Sequence, residues 1–126
     1  MAGGPIADME YRQLQVGAAD YLVATGGTGP PLLLLHGFPQ THYCWREVVT
    51  RLAPRFGVVA PDLRGYGGTS APPGGAQGQG FTKREMAADA VELMARLGHR
   101  RFAVAGNDRG ARVGYRMALD HPAHIE

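Results

Sequence analysis

With 126 residues, 44% hydrophobic and 19% charged, the chain has the make-up of one globular domain or part of one. A formal charge of +2 gives no electrostatic case for nucleic acid, and the single cysteine, Cys44, excludes an internal disulfide and has no metal-ligand spacing around it. Met1 to Asp8 lacks the basic start and apolar run of a signal peptide, and Leu32–Leu35 is far too short to cross a bilayer, so the expectation is a cytoplasmic protein with no membrane partner.

In chain order, residues 1–9 are small and polar and are expected to form a flexible tail. Glu10–Val16 alternates polar with apolar and reads as a half-buried strand; Asp20–Thr25 reads as the second arm of a hairpin. Pro31–Leu35 is apolar throughout, which suits a central strand covered on both faces. His36–Thr41 leaves it as a loop. Trp45, Val48, Val49 and Leu52 then recur at helical spacing, with Thr41 as cap and Pro54 as stop. Phe56–Ala60 is a fourth strand, and Pro61–Gly80 a loop whose Gly- and Pro-dense part from Gly65 on is expected to be flexible. Thr82 and Glu85 form a capping box for a helix whose apolar stripe is Met86, Ala90, Val91, Met94 and Leu97, with Gly98 as its stop. Phe102–Ala105 is a fifth strand, and Arg109–His121 the last helix. Two strands followed by strand–helix alternation argue for an α/β layer fold with a largely parallel sheet.

The chemistry concentrates where the fifth strand becomes the last helix, at Gly106-Asn107-Asp108-Arg109-Gly110. A turn this sharp brings the backbone close to itself and needs small residues on both sides, which Gly106 and Gly110 supply. Asp108 then stands at the apex, as the nucleophile does in an elbow, with Asp where Ser is more usual. The alternative is that Asp108 only caps the helix. Arg109 and Arg112, three residues apart, share one helix face, and a guanidinium reads a carboxylate through a planar fork of donors. Both could instead be solvated, or pair with Asp62 or Asp89. His36 reads as a structural histidine orienting its loop, Asp62 and Arg64 as a pair holding theirs, and His42, Tyr43 and Trp45 as packing near the pocket mouth. Gly65-Tyr66-Gly67 lacks the third glycine and the immediate helix of a dinucleotide fingerprint.

HGFPQTHYCW (36–45), PDLRGYG (61–67) and GNDRGAR (106–112), in that order, resemble the α/β-hydrolase superfamily from about Tyr11 onward. The resemblance implies an α/β-hydrolase fold with helices on both faces, represented here by the N-terminal half of the sheet and ending after the elbow helix. Residues 10–126 would be the N-terminal part of a single core domain. Within the superfamily an Asp elbow narrows the choice to haloalkane dehalogenases, epoxide hydrolases and fluoroacetate (haloacetate) dehalogenases. The first two typically carry Trp after the nucleophile, where this chain has Arg109. The pattern is therefore most similar to the fluoroacetate dehalogenases, whose two arginines hold the substrate carboxylate.

That resemblance implies Asp108 as nucleophile, Arg109 and Arg112 as ligands of a short halogenated carboxylate, and the N–H groups of Phe38 and Arg109 as oxyanion donors. It implies no metal and no cofactor. Epoxide hydrolysis is the alternative enzyme reading; a non-catalytic remnant or anion-binding module is the alternative outside enzymes. The families named also use a late His, its acid partner and a helical cap, none of which falls within these 126 residues, so activity of this length of chain stays open. An apolar edge on the fifth strand is expected to promote homo-oligomers or aggregation.

Overall fold

The computed structural model describes residues 5–70 and 82–126. Strands β1 (Glu10–Val16) and β2 (Ala19–Gly26) pair antiparallel across a two-residue turn, with Val16 opposite Ala19 and Glu10 opposite Thr25. β3 (Pro31–Leu35), β4 (Gly57–Pro61) and β5 (Ala103–Gly106) complete a sheet of order β1-β2-β4-β3-β5. Pairing is antiparallel on the hairpin side, including β2 with β4, and parallel between β4 and β3 and between β3 and β5. The loops that leave β3 and β5 therefore emerge side by side at one end of the sheet, where open α/β sheets place their sites.

Helices cover both faces: α1 (Arg46–Leu52) on one, α2 (Lys83–Arg96) and α3 (Arg109–Asp120) on the other. β3 shows why its sequence has no alternation. Leu33 and Leu35 join the cluster containing Met94, Val113 and Met117, whereas Leu32 and Leu34 join that of Val49 and Val58, and all four leucines are buried.

The helix expected from the Thr41 cap divides into a 3-10 turn, His42–Trp45, and α1; Thr41 Oγ1 accepts from the Tyr43 N–H at 3.3 Å. The Thr82 cap forms as read, its Oγ1 accepting from the Glu85 N–H at 3.1 Å. On α2 the buried face is Met86, Ala87, Asp89, Ala90, Leu93 and Met94, while Val91 and Leu97 are only partly covered. A carboxylate sits in that face because Tyr21 and Arg64 receive it, as shown below.

Of the expected flexible tail, residues 1–4 lie outside the described residues, while Ile6 is buried and its N–H donates to Tyr11 Oη at 2.8 Å. Residues 71–81, which hold most of the Gly- and Pro-dense stretch, also lie outside the described residues. Its first part is tied to the hairpin: the Ser70 N–H donates to the Asp20 carbonyl at 3.0 Å and Ser70 Oγ accepts from the Asp20 N–H at 2.8 Å.

After α3 a 3-10 turn, Pro122–His124, leads to Ile125, which bridges Phe102 in parallel. Phe102 donates to the His124 carbonyl and accepts from the Glu126 N–H, both at 3.0 Å. Beyond that bridge, β5 has no strand on its outer side among the described residues.

Candidate active site

Asp108 lies between β5 and α3 with φ 55° and ψ −116°, a conformation that costs a non-glycine residue free energy. The surrounding packing enforces it. A Cβ on Gly110 would run into the carbonyl oxygens of Leu35 and His36, and one on Gly106 would come within 2.6 Å of the Gly110 carbonyl group. Only glycine lets α3 start this close to the end of β3. Gly37 matters equally: its Cβ would stand 2.6 Å from Asp108 Cβ. The β3 loop thus lies directly against the elbow, and the Asn107 N–H donates to the Leu35 carbonyl at 3.1 Å.

The side chain of Asp108 makes no N-cap hydrogen bond to α3. Instead Oδ2 accepts the N–H of Phe38 across the two loops at 3.1 Å. That N–H, then the N–H of Arg109, hold the carboxyl below the ordinary range, and Arg112 and Arg109 add a weaker pull. The carboxylate is exposed.

Arg109 turns its guanidinium back over the β3 loop. Its Cζ lies 4.7 Å from the centroid of the Phe38 ring, and Nη1 donates to Tyr66 Oη at 2.9 Å. Arg112 is exposed one turn further along α3, and among the described residues its guanidinium has neither an ion pair nor a hydrogen bond. Neither arginine reaches Asp62 or Asp89, because those carboxylates are taken. A cavity of about 350 Å³ opens beside Arg109, walled by Phe38, Arg64, Tyr66, Lys83 and Met86. Asp108 lies at its edge, next to the Phe38 and Arg109 walls, and is not itself part of the lining.

The Asp62–Arg64 pair expected from the sequence does not form. Asp62 Oδ1 accepts the N–H of His42 and faces His42 Nδ1, both at 2.7 Å; Oδ2 accepts the Gly68 N–H at 2.9 Å. Burial alone would raise the Asp62 carboxyl, but the bonds from His42 and Gly68 outweigh it and hold it low. Arg64 instead donates through Nε to Asp89 Oδ2 at 2.7 Å and lies 3.6 Å from Glu85 Oε2. Tyr21 Oη donates to the same Asp89 oxygen at 2.6 Å; burial first, then Asp89, pushes that phenol far up.

His42, Tyr43 and Trp45 are also placed differently from the expectation at the pocket mouth. His42 is fully buried, its Nε2 3.0 Å from Tyr11 Oη; Tyr43 and Trp45 pack on the α1 side of the sheet. The pairing of His42 with Asp62, twenty residues on, draws this segment inward. His36 is fully buried as well: Nε2 accepts the Leu63 N–H at 2.9 Å and Nδ1 faces the Gly37 carbonyl at 3.0 Å. Burial lowers its pKa, so the neutral ring joins the β3 loop to the β4 loop.

A profile of the alpha/beta hydrolase fold matches residues 30–126. The chain belongs to the α/β-hydrolase fold family. Among curated α/β-hydrolase relatives, a fluoroacetate dehalogenase from Burkholderia sp is 50% identical over 116 residues, covering 92% of this chain and 38% of that protein. A soluble epoxide hydrolase from Corynebacterium sp. (strain C12) is 40% identical over 119 residues, covering 94% of this chain and 40% of that protein. The crystal structure of an epoxide hydrolase from Vigna radiata superposes with a TM-score of 0.88 at 36% identity, covering 96% of this chain and 39% of that one. The chain spans about two fifths of the length of these relatives.

Sequence reasoning for this hydrolase fold brought together Asp108, Arg109, Arg112 and the Phe38 N–H, and the structure places them around one elbow. It missed Tyr66 as the partner of Arg109 and Gly37 as the contact point of the two loops. The glycine next to His36 was a usable signal, since a loop meeting an elbow needs a residue without a side chain. Among the described residues, no group of three or more His, Cys, Asp or Glu is arranged to hold a metal ion. No described helix is long and apolar enough to cross a membrane.

Proposed function

We propose that the protein to which this segment belongs is a hydrolytic dehalogenase of short haloacids, with fluoroacetate or a related haloacetate as substrate. The observation that carries this reading is the pair Arg109 and Arg112 beside an exposed, low-pKa Asp108 at the elbow. Phe38 engages Oδ2, leaving Oδ1 free to attack the carbon bearing the halogen. A C–O bond forms, the C–halogen bond breaks, and halide leaves with the electron pair. The guanidinium groups hold the substrate carboxylate so that attack is in line. In the resulting ester Oδ2 is the carbonyl oxygen. When water adds, the N–H groups of Phe38 and Arg109 face the developing oxyanion. Collapse breaks the bond to the alkoxide oxygen, which takes one proton of the added water and leaves as the hydroxy acid; the other proton passes to solvent and the carboxylate returns.

The 50% match to a fluoroacetate dehalogenase supports this reading. Epoxide hydrolysis is the second reading, favoured by the 40% match to a soluble epoxide hydrolase, because the same carboxylate can open an epoxide. Incubating the intact protein with fluoroacetate and with styrene oxide separates them. Halide release without diol supports the first; diol alone sinks it.

A cytoplasmic setting and a small-molecule substrate go with the proposal. For the 126-residue chain by itself we add self-association through the outer side of β5, whose N–H and C=O groups beyond Phe102 lack a strand partner among the described residues. Light scattering on the purified chain tests this, and a well-behaved monomer counts against it.

A further inference from the structure

We infer that Tyr66 is a positioning residue for substrate recognition, fixing the fork of Arg109 through its phenol oxygen; this rests on the carboxylate-binding role proposed for Arg109. A long, exposed arginine at a helix start samples many rotamers, and ordering it on each binding event weakens affinity. Arg109 is already ordered from two sides. The face of Phe38 lies against its guanidinium, at 4.7 Å from Cζ, and Tyr66 Oη accepts from Nη1 at 2.9 Å. One of five donors is used, which leaves enough for a bidentate carboxylate contact.

Tyr66 can do this because it is itself held. Its N–H donates to the Leu63 carbonyl at 2.9 Å, and its carbonyl accepts the Thr69 N–H at 3.0 Å. Its ring stands edge-on to His36, with centroids 5.1 Å apart, and to Phe38 at 6.3 Å. The loop carrying it is anchored at both ends through Asp62, whose Oδ2 accepts from the Gly68 N–H and whose carbonyl accepts from Thr69 Oγ1 at 2.7 Å. The fork is thereby set from the β4 loop, by an element two strands away from the one that carries the arginine.

The test uses the intact protein, its Tyr66→Phe and Arg109→Ala variants, and the double variant. Two substrates share one carbon–halogen bond: bromoacetate, and bromoacetamide, which has no carboxylate. Phe at position 66 keeps the ring packing and removes only the acceptor. Tyr66→Phe is expected to raise KM for bromoacetate about 3- to 10-fold, the range one net hydrogen bond covers, with kcat nearly unchanged. It should leave kcat/KM for bromoacetamide as in the parent, and should add nothing in the Arg109→Ala background.

Equal losses on both substrates would make Tyr66 a structural residue only and overturn the inference. So would an unchanged KM for bromoacetate in Tyr66→Phe alongside a large rise in Arg109→Ala. If Arg109→Ala leaves bromoacetate unaffected, the carboxylate-binding role falls, and this inference falls with it.

Discussion

Two aspartates follow strands of the same sheet at the same end, Asp62 after β4 and Asp108 after β5, and both carboxyls are held below their usual range. The means differ. Asp62 is fully buried, with His42 on one oxygen and Gly68 on the other. Asp108 is exposed, and the one cross-loop donor to its carboxylate is Phe38, on Oδ2. A buried carboxylate bonded through both oxygens is framework; an exposed one bonded across the loops through a single oxygen can be both oriented and reactive. Environment, not residue type or position along the fold, assigns the two roles.

The sharpest way to break that comparison is chemical. In the 126-residue chain, Asp108→Asn should abolish covalent labelling by bromoacetate at position 108, read by intact mass and peptide mapping with Cys44 controlled for, and should leave denaturant unfolding close to that of the parent. Labelling that survives at full extent removes the nucleophile assignment. The converse concerns stability. Asp62→Ala leaves the His42 N–H, His42 Nδ1 and the Gly68 N–H unpaired in the interior, at a cost of roughly 3 kcal/mol in denaturant unfolding. A loss as small as that of Asp108→Asn would erase the distinction.

Smaller effects sharpen it. Arg112→Ala should raise KM for a haloacid about tenfold while the variant unfolds like the parent, since the guanidinium has no partner within the described fold to lose. An unchanged KM places Arg112 outside the site. The smallest effect is in pH. Because the Asp108 pKa is depressed, the reactive anion persists below about pH 4, where an ordinary aspartate is half protonated. Labelling at position 108 should stay level from neutrality to about that pH and fall only beneath it. Asp62 has the same sign: its contribution to stability is complete above the unfolded carboxylate range and disappears as pH falls through its lower folded value. A labelling limb centred above about pH 5 would show that Phe38 and the arginines do not hold the carboxyl low.

Much of this was readable along the chain because it is local. The hairpin, the four buried leucines of β3, the Thr82 cap and the glycines flanking Asp108 all depend on residues a few positions apart. What could not be read joins distant segments. Asp62 and Arg64 are two residues apart, yet their partners are His42, twenty residues before Asp62, and Asp89, twenty-five after Arg64. Nothing local marks those choices. One clue was available: Asp89 falls three residues after Met86 and four before Leu93, on the buried helical face, so a buried carboxylate with a distant partner was implied. The partner of Arg109 was hidden for the same reason, forty-three residues away at Tyr66.

The backbone at Asp108 has a consequence for how this molecule can change. At φ 55° and ψ −116° a side chain of any kind opposes the fold, and glycine would relieve the strain. Stability and the proposed chemistry therefore pull in opposite directions at one codon. A screen that rewarded only thermal resistance would be drawn toward the variant with no carboxylate, so any programme to harden this segment has to hold position 108 fixed and look for its gains elsewhere.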